Sequence, residues 1–140
     1  KRTFDYFYFE RSNFKVEKNI CSLLSKLAER VPLVAITNGN VNLQQIGIAE
    51  YFSACFKANL DQPMKPHSNM FELTSDFLSL SPQHILHVGD NMEKDVMGAR
   101  LAGFSSAWFA CNRDMNINNE SINVLPDLEL SNLDDLLKLI

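Results

Sequence analysis

Cysteine is scarce in this chain of 140 residues: Cys21, Cys55 and Cys111 are odd in number, widely spaced and form no C-x-x-C pair. That argues against a disulfide framework or a thiolate metal site and leaves reduced cysteines packed among other side chains. No apolar run approaches the ~20 residues that a membrane-spanning helix requires. No secretory apolar segment with a small-residue cleavage site opens the sequence, so a cytoplasmic location away from the membrane is the expectation. Basic residues are not in excess either. The 13 Lys and Arg stand against 17 Asp and Glu, a net charge of -4 that argues against a nucleic-acid partner. With 46% hydrophobic and 21% charged residues, the composition suits one globular domain with a single sizeable core.

What the chain does have is alternation of short apolar runs with helical stripes. From Lys18 to Arg30, apolar residues at Ile20, Leu23, Leu24, Leu27 and Ala28 line one helical face. Pro32 then precedes "LVAIT", Leu33 to Thr37, which reads as a buried strand turning at "NGN". "CFKA", Cys55 to Ala58, is a weaker strand, and Pro66 suits the first turn of a helix carrying Met70, Leu73, Phe77 and Leu78. "HILHVGD" is a third strand, Asn91 to Ala102 a helix stopped by Gly103, and "SAWFA" a fourth strand. After an Asn-rich loop, Ser131 caps a last helix with Leu133, Leu136, Leu137 and Ile140 on one side. Strands alternating with helices predict an α/β fold, a parallel sheet with flanking helices. Functional groups of such sheets gather at the carboxyl ends of the strands, where Thr37 and Asp90 both fall. The opening "KRTFDYFYFERSNF" has no clean period, so residues 1–16 read as a separate region and 17–140 as the core.

Three elements on that edge carry chemistry: Thr37 in "AITNGN", Lys65 in "MKPHSNMFE", and Asp90 and Asp95 in "VGDNMEKDVMGARLAG". A hydroxyl, an ammonium and two carboxylates in one place suit a phosphate and its metal. Thr37 and the backbone N–H groups of the Asn38–Gly39 turn can donate to phosphate oxygens, and the Lys65 charge strengthens its own hydrogen bond to phosphate. Asp90 and Asp95 are hard oxygen ligands or their supports, suited to Mg2+, which takes one or two carboxylates together with substrate phosphate and water. Each residue has a plainer reading. Thr37 can cap its turn, Lys65 can be a solvated surface lysine, and the two aspartates can sit at the start of a helix. The order and the strand-end positions favour the phosphate site over these. His84 and His87 are three apart, which on a strand points them to opposite faces, so no shared metal is expected; sheet packing or helix contacts suit them better, with His87 near the site only because it precedes "VGD".

The stretches "PLVAITNGN", "KPHSNMF" and "ILHVGDNMEKDVMGA" resemble motifs two, three and four of the haloacid dehalogenase superfamily of phosphatases. Their wording is most similar to bacterial phosphatases of flavin mononucleotide and of a phosphorylated ribitylaminouracil intermediate of riboflavin synthesis. The resemblance implies a Rossmann-like core and a Mg2+-dependent phosphomonoester hydrolase working through an aspartyl-phosphate. In it Thr37 and Lys65 hold the transferring phosphoryl group, and Asn38 and Gly39 line its cradle. Asp90 ligates magnesium, and Asp95 is a further metal-site or lysine-orienting carboxylate.

The family also carries an early strand ending in D-x-D, whose first aspartate is the nucleophile. Nothing before Thr37 has that form. The only earlier aspartate, Asp5, has no apolar strand before it and no carboxylate two residues on, so it is not assigned as nucleophile. In the family that strand lies between those ending at Thr37 and Asp90, with a helical cap inserted after it. Residues 1–16 therefore read as the end of the cap, and the chain as the carboxyl-terminal portion of a longer phosphatase lacking its central first strand. By itself such a chain is expected to fold poorly, or to rely on another polypeptide for the missing strand, and to show no turnover. The alternative is a catalytically inactive remnant serving as a binding or interaction module. A receiver-type phosphoacceptor domain is disfavoured, because there the acceptor aspartate precedes the threonine and the lysine comes last.

Overall fold

The computed structural model describes residues 18–39, 42–110, 114–120 and 124–140. Asp5, the expected cap remnant and Cys111 lie outside these residues. Helix α1 (Lys18–Ala28) follows the predicted stripe and buries Leu23, Leu24 and Leu27. Strand β1 (Val34–Thr37) lies parallel to β2 (Ala54–Lys57), with Thr37 opposite Lys57. A short helix α2 (Leu43–Ile46) between them is capped by the side chain of Asn42. After helix α3 (Asn69–Leu78), strands β3 (Leu86–Gly89), β4 (Ser105–Trp108) and β5 (Leu128–Glu129) form a second parallel sheet in the order β3-β4-β5. The sequence reading lacked β5, because a strand of two residues shows no period.

Side chains alternate across the strands, and this sorts the core into two layers. Leu33 and Ala35 pack against α1, whereas Val34 and Ile36 pack with Met70 and Phe71 of α3. In β3, Leu86 and Val88 join Leu23 and Leu27 of α1, while His87 and, just before the strand, Ile85 face the α3 side. The fold is thus α/β, with helices on both faces of parallel strands. Among the described residues no helix is long and apolar enough to cross a membrane.

Some element boundaries differ from the sequence reading. Pro66 does not open α3: Lys65 and Pro66, joined by a cis peptide bond, belong to a turn closed by His67 N–H donating to the Met64 carbonyl, and the helix starts at Asn69. His84 lies in a 3-10 turn (Pro82–His84) before the strand. The expected helix from Asn91 begins as a π-helical turn (Met92–Met97), then continues as α4 (Gly98–Leu101) to a stop at Gly103, whose φ is 88°. The last helix is a 3-10 stretch (Leu133–Leu139) capped by Asn132 rather than Ser131, since the Asn132 carboxamide reaches the N–H of Asp134 at 2.9 Å.

The two sheets are separate. Among the described residues no strand pairing joins β1 to β3, the two strands between which the family resemblance puts a further one. Helix α1 spans both sheets, with Leu24 in the β1 cluster and Leu23 and Leu27 in the β3–β4 cluster. Beneath it lies a cavity of about 130 Å³ lined by Leu24, Leu27, Val34, Ile36, Leu86 and Val88.

Candidate active site

Thr37 ends β1 and is fully buried. Its Oγ1 accepts the Gly39 N–H at 2.9 Å, closing the turn, while its own hydroxyl proton stays able to donate. The turn-capping role and a phosphate contact are therefore compatible in one side chain. The Gly39 N–H, in contrast, is engaged with Thr37.

Asn38 joins the first motif to the second. Its Nδ2 donates to the Lys65 carbonyl at 3.0 Å, and its Oδ1 accepts the Lys65 N–H at 2.7 Å. The carboxamide thus grips the lysine backbone on both sides, a role not foreseen for a residue expected to line the phosphate cradle. Lys65 is no solvated surface lysine: it is 2% exposed, and its Nζ lies 2.6 Å from Asp95 Oδ1.

Asp95 is likewise 2% exposed, brought inward by the π-helical turn that also buries Met92 and Val96. The wider turn is visible in Val96 N–H donating to the Asn91 carbonyl at 3.1 Å. Asn91 caps the turn, accepting the N–H groups of Glu93 and Lys94 at 3.0 and 2.8 Å. Asp95 Oδ2 in turn accepts the Asn91 N–H at 3.1 Å, and Oδ1 lies 2.9 Å from His87 Nε2 as well as against Lys65. Both carboxylate oxygens therefore already face N–H donors. Burial pushes the His87 imidazole well below the ordinary histidine range, outweighing the hydrogen bond and charge of Asp95 that act the other way.

Asp90 follows the last residue of β3 and is half-buried. Its carbonyl accepts the indole N–H of the buried Trp108 at 2.9 Å, which fixes the strand end against β4. A continuous chain of bonds thus runs from Thr37 through Asn38, Lys65, Asp95 and Asn91 to Asp90. The three sequence motifs converge through it on the carboxyl edge of the strands. Among the described residues no group of three or more His, Cys, Asp or Glu side chains is placed to hold a metal. A magnesium ion that keeps its waters and takes substrate oxygens needs only one or two carboxylates, which the half-buried Asp90 at the end of β3 could help supply.

The family model for haloacid dehalogenase-like hydrolases matches residues 3–103. The chain belongs to that family. It is 35% identical over 130 residues to the 5-amino-6-(5-phospho-D-ribitylamino)uracil phosphatase YigB of Escherichia coli, a match covering 93% of this chain and 55% of the relative. Among solved structures, a 2-haloacid dehalogenase from Pseudomonas syringae aligns with a TM-score of 0.76 at 27% identity, over 89% of this chain and 52% of that one. The hydrolase YfnB of Bacillus subtilis, whose structure is bound to magnesium, aligns with a TM-score of 0.72 at 26% identity, over 87% of this chain and 53% of that one. The chain spans about half the length of the curated relatives it matches.

In this haloacid dehalogenase-like chain the sequence reading missed two features of the site. The Asn38 clamp has no sequence signal, because it depends on how the 63–66 turn meets β1. His87 did have one: in "HILHVGD" its parity is opposite to that of Leu86 and Val88, which places it on the face that α3 and the π-helical turn cover.

Proposed function

We propose that the protein carrying this chain is a magnesium-dependent phosphomonoester hydrolase that acts through an aspartyl-phosphate. The observation that carries this reading is the buried Lys65–Asp95 pair, tied through Asn38 to Thr37 and through Asn91 to Asp90. Burying a lysine and a carboxylate is expensive in desolvation, and hydrophobic residues of similar size would pack there at least as well. The arrangement makes sense if the ammonium is held for an anionic substrate. In this reading Thr37 and Lys65 bind the transferring phosphoryl group and offset the charge that builds on it. Asn38 acts from behind by setting the Lys65 backbone, Gly39 by completing the turn beneath Thr37. Asp95 orients the lysine. Asp90 holds magnesium, which when bound neutralises charge on the phosphoryl oxygens.

The covalent step needs a carboxylate nucleophile, and no D-x-D stands before Thr37. The chain by itself is therefore expected to lack turnover, with the nucleophile supplied by polypeptide outside it. The likeness to the YigB phosphatase favours a ribityl phosphate as substrate, and the wording of the three motifs adds flavin mononucleotide; a small molecule of that kind is the proposed partner. A panel of phosphomonoesters assayed with magnesium on the protein including its nucleophile strand tests this. Release of phosphate from ribityl and flavin esters ahead of sugar phosphates is the expected result. No turnover on any ester would favour the second reading, a binding module that kept the fold without the chemistry, which the absent D-x-D makes worth testing. Turnover by the 140-residue chain, abolished in Asp5→Asn, would instead assign Asp5 as nucleophile.

A further inference from the structure

We infer that His87 is a positioning residue: by donating from Nε2 to Asp95 Oδ1 it holds that carboxylate in place, and through it the Lys65 ammonium. The inference rests on the proposed role of Lys65 for its kinetic consequence, but its geometry stands independently. His87 is buried in β3, 2.9 Å from Asp95 Oδ1, the same oxygen that Lys65 Nζ approaches at 2.6 Å. An oxygen that close to an ammonium is the acceptor of a charge-assisted bond, so the ring nitrogen facing it must carry a proton. The contact itself therefore sets the direction: a carboxylate oxygen has no proton to give, so Nε2 is the donor.

The need for such a donor follows from the lysine. Its ammonium ends a flexible four-carbon stem and carries three rotating donors, so it takes its place from whatever anchors it. Asp95 can be that anchor only if its carboxylate does not turn about its own side-chain torsions. Two rigid donors prevent the turn: the Asn91 backbone N–H on Oδ2 at 3.1 Å and the His87 ring on Oδ1. The ring is itself held, edge to face, by Phe71 with centroids 5.1 Å apart and planes at 80°. Space-filling against Phe71 would account for an aromatic or aliphatic residue at this position. It does not account for a nitrogen aimed at a buried carboxylate.

Two measurements test this. The first is nitrogen-15 NMR of the histidine rings and lysine ammonium groups. Recorded on the protein that includes its nucleophile strand, it should show the Nε2–H tautomer for His87 and a protected Lys65 ammonium signal that broadens in His87→Leu and returns in His87→Gln, which keeps a side-chain N–H donor. The second is steady-state kinetics of the protein with its nucleophile. His87→Leu should lower kcat by about 10–100-fold with KM changed less than about threefold, and His87→Gln should recover most of the loss. A bare Nε2 in the wild type overturns the inference whether or not the variants fold. So does a His87→Leu protein with unchanged kcat, or equal losses in both variants accompanied by equal drops in melting temperature. Absence of turnover in the wild type would count against the phosphatase reading, leaving the tautomer and the lysine signal to decide the role of His87.

Discussion

At the scale of single residues, the buried ion pair dominates. Removing one partner of such a pair leaves the other charged and desolvated, at a cost of roughly 3–5 kcal/mol. Lys65→Met should therefore lower the unfolding free energy by about 3 kcal/mol, near the lower end because His87 and Asn91 still solvate Asp95. The double variant Lys65→Met/Asp95→Leu should recover at least half of that loss, and denaturant midpoints of the set would reveal it. Asn38→Ala deletes both bonds to the Lys65 backbone and should cost about 1–3 kcal/mol. Asn38→Asp, which keeps the acceptor but sets a carboxylate oxygen against the Lys65 carbonyl, should cost at least as much. How much of this was legible differs residue by residue. Thr37, Lys65 and Asp90 stood out because their types and order fit one chemistry. The Asn38 clamp did not, because a carboxamide beside a threonine looks the same in sequence whether it faces ligand or backbone.

At the scale of elements, the π-helical turn and α4 are fixed by how closely they approach the Lys65–Pro66 turn. A methyl group at Gly98 would lie 3.1 Å from both Pro66 Cα and Phe71 Cε2. Alanine favours a helix over glycine by ~1 kcal/mol, but overpacking costs about 1–3 kcal/mol. Since Pro66 Cα is backbone and cannot rotate away, Gly98→Ala should come out destabilising by about 1 kcal/mol, measurable as a lowered melting temperature. Asn91→Ala removes the cap from the same turn and should cost about 1 kcal/mol. Helical stripes and strand runs were readable because burial on one side imposes a period. The π pitch was not, since it adds one residue per turn within a single turn, too short a stretch to shift any pattern.

For the whole molecule, the decisive feature is the separation of the β1–β2 sheet from the β3–β4–β5 sheet. Parallel strands are stable when covered on both faces and paired along their edges. Here α1 on one face, α3 on the other and the Asn38–Lys65–Asp95 bonds link them among the described residues, with no strand pairing between the sheets. The 140-residue chain should accordingly unfold in a broad transition by circular dichroism, and the same chain extended by its nucleophile strand should unfold sharply and at higher temperature. One sharp transition from the unextended monomer would contradict this. Leu27→Ala, at the helix that spans both sheets, should weaken the shorter chain by about 2–5 kcal/mol.

The sequence by itself determined the class of fold, the order of the longer helices and of strands β1 to β4, the strand-end placement of Thr37 and Asp90, and the family likeness. All of these follow from local periodicity or from residue types at short spacing, which neighbouring residues settle among themselves. Only the tertiary structure decided that Asn38 grips Lys65, that Asp95 turns inward to the lysine, and that His87 reaches the same oxygen. Those contacts join residues 27, 30 and 8 positions apart. The partner of a buried polar group is chosen by which surfaces pack together, and no local pattern records that choice.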